Sequence, residues 1–249
     1  MSQKIIIIGG VAGGATTATR LRRLDEQAQI ILFERGEYIS FANCGLPYHI
    51  GKVISSRDAL IVQSVQDMHQ KFNIDIRNFT EVTNIDKENK IIQYKNIQSG
   101  ETGEESYDKL VISTGAQPIK PPIPGIQDAK NLFTLRNIPD MDAIIAYINT
   151  HQPQTATVIG GGFIGIEMME NLVELGIKVS LVEMAPQVMA MFDYEMAQMI
   201  HQEITDHGVE LILNDGVKSF NDEGQSITLT SGKTLKTDLI IFAIGVRPD

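Results

Sequence analysis

One pattern occurs twice in this chain and constrains its fold more than any other feature: a strand, a glycine turn, a helix and a second strand. The first copy reads KIIIIGGVAGGATTATRLRRL from Lys4 and leads into IILFERG; the second reads ATVIGGGFIGIEMMENLVELG from Ala156 and leads into KVSLVEM. A short β-branched run, a turn and a segment of helical period make a βαβ crossover, which joins two parallel strands. Ala18, Leu21, Leu24 and Ala28 recur at spacings of three and four, so the first helix is expected to lay that face on a sheet.

The turn also has a chemical use. At the start of a helix several N–H groups lack partners and the dipole is positive, so a glycine loop there cradles phosphate. The second copy carries the full spacing, with Gly160 for the tight turn, Gly162 for close approach of a pyrophosphate and Gly165 for helix against strand. Phe163 and Ile164 complete that loop, and Glu183 ends the next strand 18 residues after Gly165. A carboxylate there accepts from ribose hydroxyls. The first copy has Gly9, Gly14 and, twenty residues on, Glu34, with Arg35 after it, but Val11 stands at the middle glycine position. Gly10 and Gly13 leave that loop flexible, and with Ala12 it is still read as a phosphate cradle. The chain is expected to bind two nucleotides.

Between the copies, YDKLVISTGAQPIKPPIPGI places a strand at Leu110 to Ser113, runs into Thr114 and Gly115, and continues as a stiff proline-rich link. A domain boundary near residue 119 is expected, giving 1–118 and 119–245, with 246–249 starting a return. TDLIIFAIGVRPD, with Gly245, closes the second unit much as the first is closed. The charge balance of 21 basic against 31 acidic residues, a net −10, disfavours nucleic acid and anionic membrane as partners, since both reward clustered cations. A small molecule is the expected partner. The start MSQKIIIIGG has too short an apolar run for a signal peptide or a span, and a single cysteine cannot form an internal disulfide, so a cytoplasmic protein is expected.

That cysteine, Cys44, sits in ISFANCGLPYHIG. A free cysteine is most often a small buried hydrophobe, but a loop bounded by Asn43 and Gly-Leu-Pro is neither strand nor helix interior, which favours a nucleophile. Taken together, these residues resemble the pyridine nucleotide-disulfide oxidoreductases, and SFANCGLPY is similar to the signature of their coenzyme A-disulfide reductases, including relatives fused to a rhodanese domain that reduce CoA persulfides or polysulfides. The resemblance implies an α/β fold of two Rossmann-like βαβ nucleotide-binding domains, an FAD domain with an inserted NAD domain, in three layers with parallel central sheets. It implies an enzyme in which electrons pass from NAD(P)H through FAD to a CoA disulfide or persulfide by way of Cys44 held as a mixed disulfide. His49 stands where two-cysteine relatives carry their second thiol, so Cys44 has no internal partner. A helix opening after Cys44 would favour its thiolate, with Asn43 capping or orienting the sulfur; His49 is read as structural.

Thr16, Arg20 and Arg23 share a helix face. Alone they are a solvated basic face, but with Ser40, Asn43 and Lys71 they match positions that line the CoA site in the family, where Arg forks suit its phosphates. Glu167 resembles the family glutamate that faces the nicotinamide and flavin, and Val82 the position whose backbone meets the FAD adenine. Met168, Met169, Met184, Met189, Met191, Met196 and Met199 are read as core filler, and no residue spacing suggests a metal. NADH is expected over NADPH: Glu183 would oppose a 2′-phosphate, and a like-charge contact near 4 Å costs about 1 kcal/mol in water and up to about 4 at an effective dielectric of 20. Two rival functions stay open: an NADH oxidase or peroxidase using a Cys44 sulfenic acid, and a nucleotide-binding redox sensor or electron-transfer module. The family continues past GVRP to a further flavin-holding segment and a dimerisation domain, so the chain ending at Asp249 reads as an N-terminal portion of a homodimeric protein, with weak FAD, negligible turnover and a tendency to associate.

Overall fold

The computed structural model describes residues 2–249, which form two compact units. The first takes in the chain through Ala42, Arg57–Gly115 and Pro248–Asp249; the second takes in Asn43–Ser56 and Ala116–Arg247. The division between them falls after Gly115, and the segment holding Cys44 is grouped with the second unit. In chain order the elements of the first half are β1 (Lys4–Ile8), α1 (Ala12–Leu24), β2 (Gln29–Phe33), α2 (Leu46–Ile50), α3 (Val65–Phe72), β3 (Asp75–Arg77), β4 (Thr80–Asp86), β5 (Ile91–Asn96), β6 (Thr102–Ser106) and β7 (Lys109–Ile112).

The first unit is built on a parallel sheet in the order β3-β2-β1-β7. The IIII run of β1 is apolar throughout because both faces of the sheet are covered. Ile5 and Ile7 face a core with Ala15 and Ala18 of α1 and Met68 of α3; Ile6 and Ile8 face another with Phe33 and Ile92, beneath the antiparallel sheet β4-β5-β6. The period-two alternation of a strand thus feeds two cores. The expected helix face is corrected at its end. Ala18 is buried and Leu21 half-buried, but Leu24 is 67% exposed. The helix stops at Leu24 because Asp25 turns extended, its carboxylate accepting from the N–H groups of Gln27 and Ala28, so Ala28 is buried from the loop rather than from the helix.

The second unit continues with β8 (Ala116–Pro118), β9 (Leu132–Phe133), α4 (Ile138–His151), β10 (Thr155–Ile159), α5 (Phe163–Glu174), β11 (Lys178–Val182), α6 (Tyr194–Asp206), β12 (Glu210–Ile212), β13 (Val217–Asn221), β14 (Ser226–Leu229), β15 (Thr234–Lys236) and β16 (Leu239–Phe242). Its parallel sheet runs β12-β11-β10-β16-β9, with an antiparallel β13-β14-β15 sheet besides. Ile159, Val182, Ile240 and Phe242 pack with Phe220, Ile227 and Leu229 between the two sheets. The short α2 packs on α4 and α5 through Leu46 and Ile50, 1% and 2% exposed. The methionines divide: Met168, Met169 and Met189 are core, whereas Met184, Met191, Met196 and Met199 are 54–78% exposed. These four lie on the segment after β11 and at exposed positions of α6. Among the described residues, no helix is long and apolar enough to cross a membrane.

Candidate functional site

In the first unit, Gly9 adopts φ +97°, a conformation only glycine takes at little cost, and a Cβ at Gly14 would overlap the Gly9 carbonyl oxygen. These two glycines let α1 rise directly against β1. Gly10 and Gly13 are not flexible spacers: a Cβ would press Gly10 on Ile39, Leu32 and Glu34, and Gly13 on the Ser113 hydroxyl. Val11 is the N-cap of α1 at φ −87°, and no side chain caps the helix, so its first N–H groups, from Ala12 on, are open to an anion. The Glu34 carboxylate accepts from the N–H of Gly10 and of Gly36, each at 2.7 Å. A cavity of about 240 Å³ opens beside it, lined among others by Gly9, Glu34, Arg35, Val82 and Thr114. Thr80, Glu81 and Asp249 also line it; Arg35 pairs with the Asp249 carboxylate at 2.5 Å, and the Thr114 hydroxyl donates to the Asp249 carbonyl. Gly115, at φ +77°, comes directly after. Of the β4 residues the resemblance pointed to Val82 alone; nothing in the sequence pattern announced Thr80, Glu81 or Asp249, because they arrive from distant segments.

The second unit repeats the arrangement. Gly160 adopts φ +106°, and a Cβ at Gly165 would overlap its carbonyl oxygen. Glu183 accepts from Gly161 N–H at 2.6 Å and Ala185 N–H at 2.7 Å. Gly162 is the N-cap of α5, again with no side-chain cap, and a Cβ there would meet nothing within 4 Å. Phe163 is exposed, Ile164 half-buried, and Gly245 sits at φ +129° where the closing strand leaves. Both cradles therefore fit a dinucleotide: neither helix start carries a side-chain cap, and each glutamate keeps lone pairs free for hydroxyl donors.

Cys44 is exposed in a 3-10 turn, Asn43–Gly45, that leads into α2, so the segment after it does open a helix. The Asn43 amide does not cap that helix; it donates at 3.4 Å to the Arg136 carbonyl, just before α4, whose start is fixed by a reciprocal Asn137–Asp140 capping box. His49 Nδ1 lies 2.6 Å from the Ile54 carbonyl and must donate to it, which ties off the end of α2. Glu167 stands on the first turns of α5. Burial, and then the Glu170 carboxylate, push its carboxyl above the ordinary range. Tyr48, which sequence reasoning missed although it lies in the SFANCGLPY signature, is raised by burial, then by Glu167, Glu170 and Cys44. These four groups share one electrostatic neighbourhood.

Thr16, Arg20 and Arg23 lie exposed on α1, and Lys71, on α3, pairs with Asp67 at 3.1 Å. Ser40 is half-buried at φ +44°, its N–H on the Gly10 carbonyl. Asn43 belongs to the second unit. Arg22 has a different use from its neighbours: its guanidinium donates to the carbonyls of Asp25, Glu26, Ala28, Phe72 and Asn73, clamping the ends of α1 and α3 together.

Comparison with known proteins accords with this geometry. The chain is 37% identical over 247 residues to the coenzyme A disulfide reductase of Staphylococcus epidermidis, covering 99% of itself and 55% of that protein. It thus spans about half the length of the curated relatives it matches. Among solved structures, reduced Bacillus anthracis CoADR-RHD superposes with a TM-score of 0.99 at 57% identity, over 100% of this chain and 45% of that one. An NAD-dependent persulfide reductase from A. fulgidus gives 0.93 at 33%, over 99% and 46%. The family model described as pyridine nucleotide-disulphide oxidoreductase matches residues 3–249, and the chain belongs to that family.

Proposed function

We propose that the protein is a reductase of coenzyme A disulfides or persulfides, with FAD on the first glycine cradle, NADH on the second and Cys44 as its single reactive thiol. The observation that carries this is Cys44 itself: an exposed thiol at the start of α2, in a chain with two dinucleotide cradles and no second cysteine. The Cys44 thiolate attacks one sulfur of the substrate disulfide; the substrate S–S bond breaks, one half leaves as a thiolate, and the other stays as a Cys44 mixed disulfide. Flavin and nicotinamide, when bound, would supply the two electrons that, with one proton, break the Cys44–CoA S–S bond, leaving the Cys44 thiolate and freeing the second CoA as a thiol. Arg20, Arg23, Lys71, Thr16, Ser40 and Asn43 are assigned to the phosphates and amides of the CoA portion. The rest of the chain's work is orientation: Asn43 and His49 fix the turn, and Glu167 and the thiol both act on Tyr48. NADH is favoured over NADPH because Glu183 directly follows β11 and Met184, not a cation, comes next.

Mixing the protein with CoA disulfide without reductant tests this. The expected result is one CoA thiol released per chain and a mass increase on Cys44 of one CoA, with none from Cys44→Ser, while FAD content is equal in both. Release by the Ser variant would sink the single-thiol reading. CoA persulfide run in parallel with NADH separates the two substrates by rate.

A further inference from the structure

The segment that lies over the second glycine turn is held by a histidine used in an unusual way. Met189 N–H donates to the Gly161 carbonyl at 2.8 Å, Gly161 N–H and Ala185 N–H both donate to Glu183, and Met189 is buried at φ +49°. The next link is Val188, whose side chain would be pressed by a Cβ on Gly161 and whose N–H donates to His201 Nε2 on α6 at 3.1 Å. An imidazole nitrogen accepts only when it carries no proton. His201 is therefore neutral with its proton on Nδ1; Gln198 Nε2, a donor, lies 3.1 Å from that atom, so this tautomer requires the Gln198 amide turned end for end, its oxygen accepting from Nδ1–H.

We propose that His201 is a positioning residue for the dinucleotide: as a neutral acceptor it holds residues 185–192 against the second glycine turn, and protonation releases them. Adding a proton at Nε2 sets a donor against the Val188 N–H and breaks that bond. The environment agrees, since burial holds His201 below its ordinary pKa. Of the charged groups on the surrounding elements, Glu195, Glu203 and Asp206 on α6, Asp193 at its start and Glu183 after β11, none adds to that effect. The native state thus favours the neutral ring; its contribution is complete above the unfolded value near 6.5 and is lost as pH falls through the folded one. Beyond the clamp the chain runs exposed through Met191, Phe192 and Tyr194, so the segment has little apolar packing of its own besides Val188 and Met189.

The consequence for the cofactor rests on the reading that the second unit binds NADH, and the test separates the two. Amide NMR spectra of the nucleotide-free chain between about pH 5.5 and 8 should show the Val188 resonance following the His201 titration, and should show it flat in His201→Gln, whose amide oxygen accepts at every pH. In the wild type, NADH affinity should fall about tenfold over the same range, the weight of one hydrogen bond, and by less than about twofold in His201→Gln. A Val188 amide blind to the His201 titration in the wild type overturns the clamp, with no variant needed. A Val188 amide that titrates in a chain that binds no NADH at any pH overturns the coupling and the NADH reading while upholding the clamp. NADH bound with the same pH profile in both proteins overturns the coupling alone.

Discussion

The two glycine cradles are one circuit written twice. Gly9 N–H meets the Phe33 carbonyl as Gly160 N–H meets that of Val182, both at 2.8 Å; Ser113 N–H meets Ile8 as Ala243 N–H meets Ile159. Glu34 and Glu183 each bridge a loop N–H and one two residues further on. Even the left-handed residue recurs, Ser40 on Gly10 and Met189 on Gly161, so the backbone of Ser40 answers to the fold before it answers to any substrate. What differs is the cap: Val11 at φ −87°, ψ −123° against Gly162 at φ −83°, ψ −175°. Neither φ demands glycine. The outer glycines serve the fold, and the middle position is left for whatever binds.

The hardest test of this division is to add a methyl group where the copies agree. Gly14→Ala and Gly165→Ala each drive a Cβ into a backbone carbonyl that cannot move away, and each should cost about 3 kcal/mol or more, the upper end of overpacking, in urea unfolding. A loss in only one of them would break the equivalence of the copies. Next in size, Glu34→Ala and Glu183→Ala each strand two loop N–H groups, at about 2 kcal/mol. Glu183→Ala should also narrow the preference for NADH over NADPH, by roughly tenfold, in parallel titrations, whereas Glu34→Ala should leave that preference alone.

Where the copies differ the fold should be indifferent. Gly162→Val, which writes the first copy's cap into the second, meets open space and should shift stability by no more than about 0.5 kcal/mol while weakening NADH by at least about tenfold. Unchanged NADH affinity would show that the space at Gly162 is not where the pyrophosphate lies. The smallest effect concerns the second helix turn, where Thr16 in α1 matches Glu167 in α5. The Glu167 carboxyl titrates above its unfolded value, so its contribution to stability is present at acid pH and is lost as pH rises through the folded value. Glu167→Gln cannot ionise, and its melting temperature relative to the wild type should rise from about pH 3.5 to 7; a constant difference would mean that Glu167 is not held in a disfavoured charged state.

Much of this was legible because it is local. The strand, turn and helix of each copy, the glutamate that follows β2 and β11, and the loop setting of Cys44 derive from neighbours in the chain, where glycine geometry and a period of two or 3.6 act within a few residues. Helical spacing groups Arg20 and Arg23 on one face with Thr16 but says nothing of what Arg22 does. Only the arrival of Phe72 and Asn73, fifty residues on, makes Arg22 a clamp. Nor could it divide the methionines, because burial depends on what covers a face.

By itself, then, the sequence determined the two βαβ units, their glycine turns and the place of a lone thiol, all of them set by short-range sterics and residue chemistry. Tertiary structure alone decided that Asp249 lines the cavity beside Glu34, that α2 packs with α4 and α5 so that Tyr48 feels both Glu167 and Cys44, and that His201 accepts a hydrogen bond from Val188. Each of these needs groups from separate segments to meet, and the energy of such a meeting resides in packing and desolvation that no local pattern encodes.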